Sequence, residues 1–369
     1  MQRIGSSFLI LLTLLLLTPW AKAERLEQIA LQQSSPSTAL LLTIEQAGDR
    51  LVAAGEQGIV IFSNDDGAIW QQANVPASVL ITGLHFFDNQ KGWAVGHDGI
   101  VLATTDGGAN WTRQLDGVVI NQLRVGAIKE EIARFNELTV KDELALEELE
   151  FLLDDAELAS EEGPSTPLLD LLFLDSQHGY ALGAYGLFLE TRDGGNSWAY
   201  IGHKLPNPDG FHLNKIFQTR EGTLIIIGEA GLMLSSVDLG NTWSRINVPY
   251  EGSLFSIAEA DELYVMGLRG TLLQVLSGEY LLGSDGSPAV GWRTIQLDIT
   301  STINDSALVD GQLYLVGQDG VLLRQNGKRF EPFSKRGLRS YSAITSSGSY
   351  LVLVGEGGVS RIALNEGGK

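Results

Sequence analysis

The chain contains no cysteine. That excludes a disulfide framework, a thiolate metal site and a lipid anchor carried on a cysteine. Positive charge is scarce too: 25 lysines and arginines stand against 45 aspartates and glutamates, a net charge of −20. Phosphate backbones are read by basic surfaces, so general nucleic-acid binding is excluded. Beyond residue 23 no apolar run reaches the ~18 residues expected of a membrane-spanning helix, so the mature chain is expected to be soluble, without a membrane span.

What the chain has in quantity is glycine, 43 residues of it, with 44% hydrophobic content over 369 residues. Together these point to turn-rich β structure with a large core. The start of the chain reads as a leader: Arg3, an apolar run from Phe8 to Leu17, and Ala21-x-Ala23 before the next acidic residue. The run is too short to span a bilayer, and small residues at that spacing suit signal peptidase. Residues 1–23 are therefore expected to be a signal peptide cleaved after Ala23, and the mature protein to be periplasmic.

Seven G-x-x-G turns, each after a short apolar strand, mark an internal repeat. Their glycines are Gly55/Gly58, Gly96/Gly99, Gly183/Gly186, Gly228/Gly231, Gly267/Gly270, Gly317/Gly320 and Gly355/Gly358, with first glycines 41, 87, 45, 39, 50 and 38 residues apart. The long interval is one period plus an insertion. A period near 40 with several short strands per unit is that of a β-propeller, so the fold class is all-β with seven blades.

Four repeats carry a second turn of the form Ser/Thr-x-Asp-x-Gly-x-x-Trp, an Asp box. Its Asp and Trp are Asp65 and Trp70, Asp106 and Trp111, Asp193 and Trp198, Asp238 and Trp243. The carboxylate can accept backbone N–H groups of its own turn, and glycine supplies positive φ. Burying the Trp against the hairpin contributes about 4–6 kcal/mol at ~25 cal/mol per Å². One aspartate at the box position on each of four separate blades does not make a calcium site, which needs six to eight oxygens at one point. These residues are expected to be structural, and no metal or cofactor is expected. In the fifth repeat the turn is swollen, from Ser277 to Gly291 before Trp292.

The chain thus divides into residues 24–114 (a ring-closing strand and blades one and two), a helical insertion at 115–164, and blades three to seven at 165–369. In the insertion Ile128, Ile132 and Phe135 recur at helical spacing, as do Leu146, Leu149, Leu153 and Ala156. Thr139 to Asp142 fits a capping box for the second helix. Eleven acids and one lysine between Glu137 and Glu162 make this hairpin, taken as Asn121 to Ser160, strongly acidic. The seventh repeat ends near Ala363 with three strands, and Leu26 to Gln32 have no other assignment. They are expected to supply its fourth, outer strand and close the ring.

Gly92 to Trp111, GWAVGHDGIVLATTDGGANW, together with Gly179 to Trp198, GYALGAYGLFLETRDGGNSW, resembles the Asp-box propellers of the photosystem II stability/assembly-factor family, which includes bacterial relatives outside photosynthesis. The resemblance covers nearly all of the mature chain apart from the insertion and the fifth repeat's turn. It implies a seven-bladed, non-enzymatic assembly factor that holds a membrane-protein subunit while a complex is built. By it this chain would be a periplasmic scaffold, a monomer, whose protein partner is part of an inner-membrane complex.

Strand counting puts the Asp boxes at one end of the ring and the G-x-x-G turns at the other, with the blade-to-blade connections. The insertion and the loop from His203 to Asn214 are both such connections, so the G-x-x-G face is the expected binding face. There Tyr185 and Arg269 are residue types that anchor interfaces. His212 and Asn214, in a loop held by Pro206 and Pro208, would cap the channel mouth. Lys335, Arg336 and Arg339 would receive an acidic or carboxylate-terminated segment, or pair with the acidic hairpin. The competing reading is a sialidase-like or other carbohydrate-binding or hydrolysing propeller. It needs three converging arginines, a tyrosine paired with a glutamate, and an Arg-Ile-Pro-like motif before the first blade. Here Arg25 precedes Leu26-Glu27 instead.

Overall fold

The computed structural model describes residues 24–138, 142–276, 291–333 and 339–366. Seven antiparallel sheets follow one another along the chain, six of four strands and a last of three, each running in strict sequence order. The first strands of the sheets are Leu41–Ala47, Ile81–Phe86, Leu168–Phe173, Leu213–Gln218, Leu254–Glu259, Ile303–Val309 and Tyr341–Ser347. Each touches the next, and the seventh touches the first, so these strands form the inner wall of a closed ring. The expected seven-bladed propeller is the fold.

Second strands such as Leu224–Gly228 are buried at every position. They are sandwiched between neighbouring blades on both faces, which suits continuous runs of branched aliphatic residues. The core is accordingly a series of apolar layers between blades. The layer joining blades two and three contains fully buried Trp93, stacked on Phe173 with ring centroids 3.4 Å apart and planes 5° from parallel. Its indole N–H donates to the Gly194 carbonyl of the next blade's Asp box at 3.2 Å.

Between blades two and three stand helices α2 (Gly117–Asn136) and α3 (Glu143–Glu162), the expected hairpin. Asp116 caps α2 by accepting the Val118 and Val119 N–H groups. Asp142 caps α3 by accepting from Ala145; the rest of the expected capping box, 139–141, lies outside the described residues. Ile120, Ile128 and Ala156 bury into the blade-two/blade-three layer, which roots the hairpin in the ring. The swollen turn at 277–290 also lies outside the described residues.

One expectation is corrected. Leu26 to Gln32 do not form an outer strand on blade seven, whose sheet has three strands among the described residues. Glu24–Glu27 instead form the short helix α1, and the segment after it lies along blades one and two. Leu26 and Ala30 are buried there with Val75, Ala77, Val79, Ile100 and Trp111. The Ala30 N–H donates to the Val75 carbonyl at 3.0 Å. The physical reason is spacing: Leu26 and Ala30, four apart, fit the slot between blades, while Ile29 and Leu31 remain 70% and 74% exposed. The ring closes through side chains. Leu41, Ile44, Leu51 and Ile61 of blade one pack with Ala343, Val352 and Val354 of blade seven. Ser347 Oγ donates to the Asp66 carboxylate at 2.7 Å, and Arg361 Nε to the Asp66 carbonyl at 2.8 Å.

Candidate functional site

The G-x-x-G turns close tight hairpins between the second and third strands. In blade one the Ile59 N–H returns to the Glu56 carbonyl at 2.9 Å, and both central residues have positive φ, Gln57 at 53° and Gly58 at 72°. This is the primed geometry that matches strand twist. The first central position is left-handed in Asp98, Tyr185, Ala230, Arg269 and Asp319 as well, at φ between 52° and 58°. The glycine that follows is required twice over at Gly58, where a Cβ would also lie 2.0 Å from the Ala77 carbonyl oxygen. Left-handed backbone costs a residue with a Cβ about 1–2 kcal/mol. Tyr185 and Arg269 bear this cost on the rim and point outward, Tyr185 being 62% exposed. Asp98 differs: its carboxylate is buried, raised above its ordinary pKa by desolvation, and held by the Arg25 guanidinium at 3.1 Å.

Tyr185 and His212 come together, rings edge-on with centroids 4.9 Å apart. The His212 backbone N–H donates to the Glu229 carboxylate at 3.2 Å. Arg269 and Arg339 are exposed on blades five and seven, apart from that pair. The Arg339 guanidinium lies against Gly357, where a Cβ would come within 2.4 Å of it. Lys335 and Arg336 lie outside the described residues. Of the hairpin's acids, Asp155 pairs with Arg124 at 2.6 Å and Glu157 with Lys129 at 2.7 Å, both within the hairpin.

At the opposite end the four Asp boxes satisfy themselves. Asp65 accepts the Ile69 N–H at 2.9 Å, Asp106 that of Asn110 at 3.0 Å, Asp193 that of Ser197 at 2.8 Å and Asp238 that of Thr242 at 2.9 Å. These bonds to the charged form hold Asp65, Asp193 and Asp238 below the usual carboxylate range; Asp106 lies below it too, its hydrogen bonds outweighing a larger single penalty from burial. Trp70, Trp111 and Trp243 donate to the carbonyl of their own box glycine, whereas the buried Trp198 indole nitrogen has no acceptor among the described residues.

The sequence reading missed the centre of the ring. A cavity of about 570 Å³ is lined by the inner strands of the blades. Every inner strand has a register shift after its first residue, between Leu41 and Thr43 in blade one and at the matching place in the other six. Such bulges redirect side chains at barrel rims and active sites. They place Asp170, Lys215, Ser256 and Asp305 at one level, with Glu45 and His85 two residues further on. The carboxylates staple neighbouring blades: Asp170 accepts the Ile216 N–H at 3.0 Å and Asp305 the Ile344 N–H at 3.1 Å. Asn214 serves the same purpose, donating to the Leu254 carbonyl at 2.9 Å while bordering the cavity.

Attraction to Asp170 outweighs burial and holds the Lys215 ammonium above its ordinary pKa. Burial pushes Asp170 and Asp305 upward despite the attraction of Lys215. It pushes Glu45 up to about 7, with Asp305 and Asp170 adding to the shift and Lys215 opposing it. Burial likewise lowers His85 to about 4, so at neutral pH its neutral ring donates from Nε2 to the Phe173 carbonyl at 3.2 Å. The signal available in the sequence was a charged residue within an inner strand in four of the blades, Glu45, Asp170, Lys215 and Asp305. Among the described residues no three metal-ligating side chains converge.

A tyrosine–glutamate pair does occur, Tyr180 and Glu190, 3.2 Å apart. The phenol is fully buried, its hydroxyl donates to the Leu239 carbonyl at 2.6 Å, and burial followed by the Glu190 charge raises its pKa. One guanidinium, Arg192, contacts Glu190 at 2.6 Å.

Comparison with known proteins agrees with this geometry. The family model described as "Photosynthesis system II assembly factor YCF48" matches residues 160–255. The chain is similar to the chloroplast photosystem II stability/assembly factor HCF136 of Oryza sativa subsp. japonica, 26% identical over 184 residues, covering 47% of this chain and 42% of that protein. It is 38% identical over 79 residues to the photosystem II assembly lipoprotein Ycf48 of Synechococcus sp. (strain CC9902), 21% of this chain and 23% of that one. The matches thus span less than half the length of these relatives. A solved structure of YCF48 bound to a D1 peptide superposes with a TM-score of 0.60 at 15% identity, covering 90% of this chain and 98% of that one. At that identity the superposition speaks for the fold alone. The resemblance to the photosystem II assembly-factor-like propellers therefore stands on sequence, through the family model and these relatives, and on a shared fold.

Proposed function

We propose that this protein is a non-catalytic binding propeller that holds an extended segment of a protein partner on its G-x-x-G rim. The similarity to assembly factors carries the reading, since the propeller fold by itself is silent on activity. Three features of the chain support it. Tyr185 with His212, Arg269 and Arg339 are presented outward on the face that also bears the hairpin. The central carboxylates Asp170 and Asp305 are committed to holding blades together through the Ile216 and Ile344 N–H groups. Tyr180 has a raised pKa and a committed proton, the reverse of what a nucleophile paired with a base requires.

A relative of the same fold was solved with a D1 peptide, which favours a peptide segment as the ligand class here. We place the protein in the periplasm and its partner in an inner-membrane complex. The leader-like residues 1–23 and the similarity to an assembly lipoprotein support that placement.

The test is recovery of partners from a membrane extract by the full chain and by the variant Arg269→Glu/Arg339→Glu, alongside a glycan-hydrolysis screen. Loss of a specific protein from the variant, with no turnover by either, is expected. Measurable hydrolysis of a glycan, or recovery unchanged by the two reversals, overturns the reading.

A further inference from the structure

Helix α3 has two apolar faces. The inner one, with Leu149 and Ala156 buried and Leu152 and Leu153 partly so, packs into the hairpin and ring. The outer one is a single stripe, Leu144, Phe151 and Leu158, left 78%, 72% and 54% exposed. Residues seven apart fall almost on one line along a helix, so the stripe runs for about 21 Å at about 1.5 Å per residue. Helical geometry sets Glu147, Asp154 and Glu161 along one edge and Glu148 and Asp155 along the other. Of these only Asp155 is ion-paired among the described residues, with Arg124. An ordered apolar line between two acidic edges is an unusual use of exposed surface.

Charge decides what can cover it. A second copy would bring acidic edge against acidic edge, and the whole chain carries −20. An anionic lipid surface would be repelled for the same reason, since interfacial helices dock there with basic faces. We propose that this stripe docks a basic amphipathic helix of a partner protein, with apolar residues repeating every seven and Lys or Arg on both flanks. The docking is helix against helix, with edge charges setting partner choice. This deepens the reading of the protein as a protein-binding scaffold and rests on it, but uses a surface separate from Arg269 and Arg339.

Two labelled synthetic peptides of about 21 residues test it on the full chain. Both carry Leu at the same heptad positions, one flanked by Lys and Arg, the other by Glu. Fluorescence anisotropy should show binding of the basic peptide only, weakened as salt screens the edges. Leu144→Ser/Phe151→Ser/Leu158→Ser should weaken it at least about tenfold. Glu147→Lys/Glu148→Lys/Asp154→Lys should transfer preference to the acidic peptide, which decides the matter should the serine variant lose its helix. Arg269→Glu/Arg339→Glu should leave peptide binding unchanged, so failure here and failure of the rim are distinguishable. The proposal is overturned if the basic peptide does not bind, if both bind equally, or if neither α3 variant matters. A wild-type dimer abolished by the serine variant, or stripe-dependent binding to anionic vesicles, overturns it in favour of those occupants.

Discussion

The central charge cluster predicts a specific pH dependence. Burial holds Glu45 in the folded ring at a pKa of about 7, against 4.5 for an ordinary glutamate. A carboxyl raised on folding keeps its proton more tightly in the folded state than in the unfolded chain. Its contribution therefore falls as pH rises from about 4.5 through about 7, and is unfavourable above. At about 1.4 kcal/mol for each pH unit separating the two values, the change at stake is about 3 kcal/mol. Glu45→Gln keeps the shape and cannot ionise. Its stability relative to the parent should be near zero below pH 4.5 and grow to about 3 kcal/mol in its favour at pH 8. Denaturant unfolding midpoints collected across pH would measure this. A difference that stays flat with pH, or a variant less stable than the parent at pH 8, refutes the argument.

The rim turns give an opposed pair. Ala230→Gly should stabilise by about 1 kcal/mol by relieving left-handed backbone at 52°. Gly231→Ala should destabilise strongly, because its Cβ would lie 2.0 Å from the Tyr250 carbonyl oxygen. The same unfolding curves check both. Trp93→Ala should cost about 3–5 kcal/mol, since the ring is fully buried and stacked on Phe173. A loss under about 1 kcal/mol would mean the layer between blades two and three repacks.

Much of the architecture was legible because it is local and periodic. Each G-x-x-G turn needs only its own glycines, and the helix spacing of Ile128, Leu149 and Ala156 already located the buried face of the hairpin. Ring closure was not legible, because it depends on which distant groove accepts a short segment. Leu26 and Ala30 suit the slot between blades one and two, and nothing local distinguishes that slot from the open edge of blade seven. The central charges were missed because the bulge after the first inner-strand residue changes which face later residues occupy. Asp170 in LLDLLF and Lys215 in LNKIFQ look like ordinary polar positions until that shift is known. Asn214, read as a cap on the channel, borders the central cavity and also bonds to the neighbouring blade at Leu254.

The most direct measurement of the rim's role is site-specific photo-crosslinking in the cell that makes the protein. A photoreactive residue replaces Tyr185 or Arg269 on the rim, or Asn196 in an Asp box at the other end. The account predicts that Tyr185 and Arg269 positions capture the same protein and that Asn196 captures none. Capture from Asn196 alone would place recognition at the opposite end of the ring and contradict it.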